Sequence, residues 1–252
     1  MADTRPYVLS IAGFDPSGGA GVLADIKTFE ALGVYGFGAC SALTVQSDTD
    51  FLRVRWLETH DIIEQLEPLA NKFPLHACKI GVVKNLDVLL EIIFYLKSRQ
   101  PDIRVILDPV LRASAGFAFH GILESERLTA VLRGISLVTP NYEEIKQLKP
   151  DLPPIEAAKY LARYCAVLLK GGHNPVALGT DYLFEQDSCI ALPPTVPAVS
   201  PKHGSGCVLS ASIAANLTLG CTLAEACRRG KRYTESFLSS NQSLLGYHNH
   251  DL

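Results

Sequence analysis

Five consecutive residues, His203-Gly204-Ser205-Gly206-Cys207, have the composition of an anion hole. Glycines let the backbone turn tightly and aim successive N–H groups at one point. The following stretch, VLSASIAANLTLGC, reads as a helix of small and apolar residues, whose N-terminus adds about half a positive charge. A plain glycine-rich loop before a core helix is the simpler alternative, because such short patterns recur by chance. Cys207 falls in the first turn of that helix, where the dipole is expected to lower a thiol pKa.

A second segment, SIAGFDPSGGAG over residues 10–21, runs from a strand into a helix that contains Asp25 and Lys27. The glycine spacing does not match GxGxxG, and no acidic residue closes a second strand about 20 residues later, which argues against a dinucleotide fold. A turn that encloses a substrate is the better reading.

Polar residues also close otherwise apolar runs. Asp108 ends VILDPV and offers a hard oxygen suited to Mg2+, directly or through water; an Asp-Pro turn is the alternative. Asn141 and Glu144 form N-x-x-E one helical turn apart, which fits either a metal-water anchor or a helix N-cap followed by acidic residues. Lys170 ends an apolar strand before Gly171-Gly172, a costly place for a lysine unless its ammonium meets phosphate. Ligands of open α/β sheets bind beyond the carboxyl ends of the strands. Asp15, Asp108, Asn141 and Lys170 are therefore expected on one rim.

The elements that must carry them are legible from periodicity. Apolar runs at 7–12, 78–81, 105–108, 137–139 and 167–170 have the length and Val/Ile/Leu content of parallel strands buried on both faces. Helical patterns lie between them, at 20–32, 61–71, 86–98, 124–132, 143–148 and 155–164, so the fold class is α/β with right-handed crossovers and a doubly wound sheet. Residues 34–54 read as one or two strands near an edge. A hairpin follows around 185–188, and two helices at 206–219 and 223–239 precede a polar tail, from 247 onward, that is expected to fray.

Composition removes whole classes of function. With 252 residues, 48% hydrophobic and 19% charged, the chain can bury a core and is not disordered. A formal charge of −3 supplies no basic field, so no nucleic acid partner is expected. No apolar run approaches the ~18 residues of a membrane helix, and no signal-like start is present, so a cytoplasmic protein without a membrane partner is expected. Seven scattered cysteines without a CxxC pair point to reduced thiols.

Taken in order, SIAGFDPSGGAGVLADIKTFEALGVYG, ALTVQ, KIG, LDPV, TPN with Glu144, LLKGGH and HGSGC resemble the hydroxymethylpyrimidine and phosphomethylpyrimidine kinases of thiamine biosynthesis, from Val8 to about Gly220. The resemblance implies one three-layer α/β/α ribokinase-like kinase domain over 1–252, with a mostly parallel central sheet. It implies ATP and Mg2+ as cofactors and a small heteroaromatic substrate. Gly13, Asp25, Gln46 and Val82 would bind that substrate, Gln46 reading the aminopyrimidine ring and Val82 forming an apolar wall. Gly204, Ser205 and Gly206 would form the anion hole. Cys207 would stand where other superfamily members carry an aspartate base. Lys170, Asn141 and Thr139 would meet the nucleotide, and Asp108 and Glu144 the metal. Family members are commonly dimers, and residues 34–54 could supply the interface.

Three departures bear on the substrate. KHGSGC stands where THGTGC is usual, placing Lys202 beside the expected phosphate path; LRASAG over 111–116 lacks a lysine common there; and Val82 replaces a methionine. They leave open the second phosphorylation, of the monophosphate, which needs further cationic contacts. The same scaffold supports pyridoxal or pyridoxine kinases, and a non-catalytic pyrimidine-binding regulator is the alternative from another class.

Overall fold

The computed structural model describes residues 4–110, 125–174, 176–196 and 199–248. The 111–116 departure lies outside the described residues.

The chain alternates strands and helices from the start. β1 (Tyr7–Phe14), α1 (Gly21–Ala31), β2 (Tyr35–Gln46), β3 (Phe51–Trp56), α2 (Thr59–Lys72), β4 (Leu75–Ile80), α3 (Leu86–Arg99) and β5 (Arg104–Leu107) form the first half. The second half comprises α4 (Ser125–Gly134), β6 (Leu137–Val138), α5 (Tyr142–Leu148), α6 (Pro154–Leu161), β7 (Ala166–Leu169), β8 (Asp181–Glu185), β9 (Ser188–Leu192), α7 (Ser205–Thr218) and α8 (Leu223–Leu238).

All nine strands join one sheet in the order β3-β2-β1-β4-β5-β6-β7-β8-β9. The run from β2 to β7 is parallel, and antiparallel β3 and the β8–β9 hairpin close the two edges. The expected edge strands and hairpin are thus present.

Strand side chains alternate between two cores, as the period of two demands. Leu9, Ile11, Cys78, Ile80, Val105, Leu107, Val167 and Leu169 pack with α2 to α6 on one face. Val8, Ala77, Ile106, Leu137 and Leu168 pack with α1, α7 and α8 on the other. Three layers result, as expected. Helix α7 is buried from Val208 to Thr218, which explains why it is built of small and apolar residues on every side.

The tail departs from expectation as far as it is described. The Tyr247 N–H donates to Ser240 Oγ at 2.9 Å, and Tyr233 Oη lies 3.0 Å from His248 Nδ1. These bonds fold the chain after α8 back onto its own helix. The turn sequence offers the bonding groups, but only the bend brings them within reach.

Candidate active site

Strands β5, β6 and β7 end side by side, and their polar closing residues meet there. Lys170 Nζ donates to Asp108 Oδ1 at 2.8 Å and lies 3.4 Å from Glu144 Oε2. Thr139, fully buried, turns its hydroxyl to Asp108 Oδ1 at 3.2 Å instead of to open solvent. Asn141 Oδ1 accepts from the N–H groups of Glu143 and Glu144, both at 2.8 Å, while Glu144 Oε2 accepts from Asn141 N at 2.7 Å. This reciprocal cap starts α5 and leaves Glu144 turned toward Lys170, so capping and a place at the site coexist.

Burial and charge drive the two carboxylates apart. Burial works against ionised Asp108, yet Lys170 and Lys79 together hold its carboxyl below the usual range. Glu144 moves the other way, because burial pushes it up more than Lys170 draws it down. Burial also opposes the charge of Lys170, but Asp108 and Glu144 raise its pKa and keep it an ammonium.

The anion-hole loop lies directly alongside. Gly204 caps α7 with a left-handed φ of 75° and, being glycine, offers no side-chain cap to the first N–H groups of the helix. A Cβ on Gly204 would overlap the carbonyl oxygen of Gly19, so glycine is required both by conformation and by space. A Cβ placed on Gly206 would stand 3.4 Å from Lys170 Nζ and 3.5 Å from Asp108 Oδ2. Cation, carboxylate and helix N-terminus therefore converge at Gly206. Ser210, one turn along α7, adds a hydroxyl 3.4 Å from Asp108 Oδ2. Only its place four residues after Gly206 in an apolar helix marked it out in the sequence.

Beneath this rim lies a buried pair that sequence reasoning named only in part. Asp25 and Lys79 are both fully buried, and Lys79 Nζ meets the two Asp25 oxygens at 3.1 and 2.8 Å, with Ser10 Oγ donating to the same carboxylate. Asp25 is thus covered by these partners. Burial would strip the proton from Lys79, but Asp25, Cys207 and Asp108 outweigh it and keep the ammonium charged.

Cys207 corrects the expectation of an acidic thiol. Burial pushes its pKa above the ordinary 9.0, and the negative charges of Asp25 and Asp108 add to the rise, against Lys79 and the Gly21 N–H. Two buried carboxylates and desolvation outweigh the helix end, and the resting sulfur is a thiol.

At the end of β1, Gly13 and Val82 face each other, since a Cβ on Gly13 would lie 3.0 Å from Val82 Cγ1. Gln46, at the end of β2, lies close enough to Asp15 to help lower the pKa of that carboxyl. Asp15 itself does not join Lys170. Its carboxylate binds Ser17, Ala20 and His203, and these partners outweigh burial to bring its pKa down to about 2. Lys202 is likewise directed elsewhere: it is buried, and its Nζ donates to the carbonyls of Asn241 and Ser243 at 2.5 and 2.7 Å. Its charge tethers the turn after α8 and does not face the phosphate path.

Among the described residues, no three His, Cys, Asp or Glu side chains converge as a ready metal cage. Two carboxylates on one rim suit Mg2+ nonetheless, because this ion keeps several waters and is completed by substrate phosphates.

Residues 15–250 match the family described as phosphomethylpyrimidine kinase. The chain belongs to that family. A hydroxymethylpyrimidine/phosphomethylpyrimidine kinase of Rhizobium meliloti is 33% identical over 94% of this chain and 91% of its own length. The Aquifex aeolicus enzyme of the same name is 33% identical over 95% and 97%. Among solved structures, a phosphomethylpyrimidine kinase from Clostridium difficile superposes with a TM-score of 0.77 at 28% identity, over 91% of this chain and 98% of that one. A pyridoxal kinase of Bacillus subtilis, in complex with ADP, gives 0.82 at 26% identity over 98% of both. The phosphomethylpyrimidine kinase family thus accounts for the three-layer ribokinase-like architecture and for the order of the motifs. The chain is an ATP-dependent phosphotransferase of that family. No described helix is long and apolar enough to cross a membrane.

Proposed function

We propose that the chain transfers the terminal phosphoryl group of ATP to the hydroxymethyl oxygen of hydroxymethylpyrimidine, and that its monophosphate is the second acceptor. The observation that carries this reading is the convergence at Gly206 of an ammonium, a carboxylate and an uncapped helix N-terminus. Phosphoryl transfer asks chiefly for positioning and charge neutralisation, which these groups supply.

Each residue has a task in this reading. The N–H groups of Ser205, Gly206 and Cys207 receive the transferring oxygens, and Lys170 offsets their charge. Asp108 and Glu144 would hold Mg2+, directly or through water, with Asn141 and Thr139 fixing those carboxylates. When bound, the ion supplies neutralisation of the phosphate oxygens. Gly13 and Val82 bound the acceptor ring, Gln46 reads its edge, and the buried Asp25–Lys79 pair underlies the floor. Cys207 accepts the hydroxymethyl proton through the fraction that is thiolate.

We read the chain as one kinase domain, a reading supported by the single sheet that the described strands form. We read the active form as a cytoplasmic homodimer, with Leu43, Val45 and Leu52 exposed on the β2–β3 edge as the contact. Sedimentation of the L52E variant as a monomer would support this contact.

A pyridoxal substrate is the second reading, favoured by the TM-score of 0.82 to the Bacillus subtilis enzyme. ATP consumption measured across hydroxymethylpyrimidine, its monophosphate, pyridoxal and pyridoxine decides. The highest kcat/KM is expected with hydroxymethylpyrimidine. A preference for pyridoxal reverses the assignment, and binding without turnover of any acceptor would mark a non-catalytic protein.

A further inference from the structure

Asp15 and His203 stand 188 residues apart in sequence, yet His203 Nε2 lies 2.8 Å from Asp15 Oδ2. Asp15 belongs to the turn after β1, and His203 begins the anion-hole loop. Both side chains are buried, with 2% and 8% of their surfaces exposed.

The bond has a fixed direction. An ionised carboxylate only accepts hydrogen bonds, so the hydrogen of this bond sits on His203 Nε2. The His203 Nδ1 is buried and finds no partner among the described residues. Asp15 is therefore the polar group that orients the ring. The same carboxylate organises its own turn, accepting from Ser17 N, Ser17 Oγ and Ala20 N, each at 2.9 Å. Two residues before Asp15, Gly13 faces Val82 in the acceptor pocket; one residue after His203, Gly204 meets the carbonyl of Gly19. One carboxylate thus links the wall of the acceptor pocket to the phosphate-facing loop.

We propose that Asp15 and His203 form a positioning pair that sets the register between the acceptor turn and the anion-hole loop, and so the distance from the acceptor oxygen to the transferring phosphoryl group. The inference rests on the kinase reading above. His203 acts through Asp15 and not on the substrate. Each half of the site binds its own ligand through other residues, so loss of the pair shifts one bound ligand relative to the other. Reaction rate is far more sensitive than binding to such a shift, since a displacement of about 1 Å costs roughly 10²-fold.

The test compares two amides in the full-length protein. Gln places its amide nitrogen near the position of the imidazole Nε2, whereas Asn reaches only as far as Nδ1. H203N is expected to lower kcat by about 10²-fold with both Michaelis constants little changed, and H203Q to recover most of that loss. In the cycle with D15N, the H203N effect should largely disappear, because the two residues act as one unit. Hydrogen exchange supplies a readout that needs no turnover: the Ser17 and Ala20 amides should exchange faster in H203N and at the wild-type rate in H203Q. A wild-type kcat in H203N, additive effects in the cycle, or equal damage from both amides would overturn the pair. If the wild-type chain phosphorylates nothing, the kinase reading fails, and the exchange rates still decide whether Asp15 and His203 hold the turn.

Discussion

Lys170 Nζ lies 2.8 Å from Asp108 Oδ1 and 3.4 Å from Glu144 Oε2, so one ammonium bridges a carboxylate that closes β5 and one in the first turn of α5. In the proposed reading, phosphate takes over the ammonium and a divalent ion the carboxylates.

From this follows the first prediction. D108N leaves shape intact but removes the charge, and kcat should fall roughly 10–100-fold, as for changes that disturb a metal's supporting groups, with the KM for the heteroaromatic acceptor little changed. Excess chelator should abolish turnover, and added Mg2+ should restore it. Steady-state kinetics in buffered metal checks both, and full activity in chelator would remove the metal role of Asp108 and Glu144.

Gln46 offers a ring edge both a donor and an acceptor. Q46L should weaken acceptor binding by about 1–3 kcal/mol through unpaired ring atoms. Titration calorimetry with hydroxymethylpyrimidine measures this directly. An unchanged affinity would assign the ring edge to another residue.

Cys207 is held protonated by burial and by Asp25 and Asp108, with a pKa above 9.0. A base must be deprotonated to act, so the thiolate fraction grows with pH until that raised pKa is passed. The rate of the wild type should therefore climb with pH through neutrality and up to at least pH 9, with no plateau below it. C207A should flatten the climb and lose about 10²-fold at its alkaline end, the lower part of the general-base range. A pH profile of kcat for both proteins tests this, and parallel profiles would leave the sulfur a packing role.

Lys79 and Asp25 form an ion pair with no exposed surface. Removing one partner strands the other charge, so K79M should cost about 3–5 kcal/mol in urea unfolding. Replacing both, as in K79M/D25L, should recover much of that loss, since an apolar pair can substitute for a buried ionic one. A double variant no more stable than K79M would show that the pair's hydrogen bonds, including that from Ser10, hold the floor of the site together.

Much of this protein is written locally. Runs such as VILDPV and VLLKGG specify strands because consecutive apolar side chains suit a sheet covered on both faces, and Asp108 and Lys170 are conspicuous there as the charged residues that end them. The loop from His203 to Cys207 is equally legible, since glycine supplies at no steric cost the left-handed turn with which Gly204 opens the helix.

Other properties depended on partners far along the chain. Local spacing could not show that Lys202 turns to the carbonyls of Asn241 and Ser243, that Asp25 meets Lys79, or that Asp15 meets His203. Nor could it reveal the state of Cys207: the helix end favours a thiolate, and only packing brings two carboxylates and an apolar surround near enough to reverse that preference. Secondary structure follows from a residue's neighbours in sequence, whereas charge and proton affinity follow from its neighbours in space, which the assembled sheet alone decides.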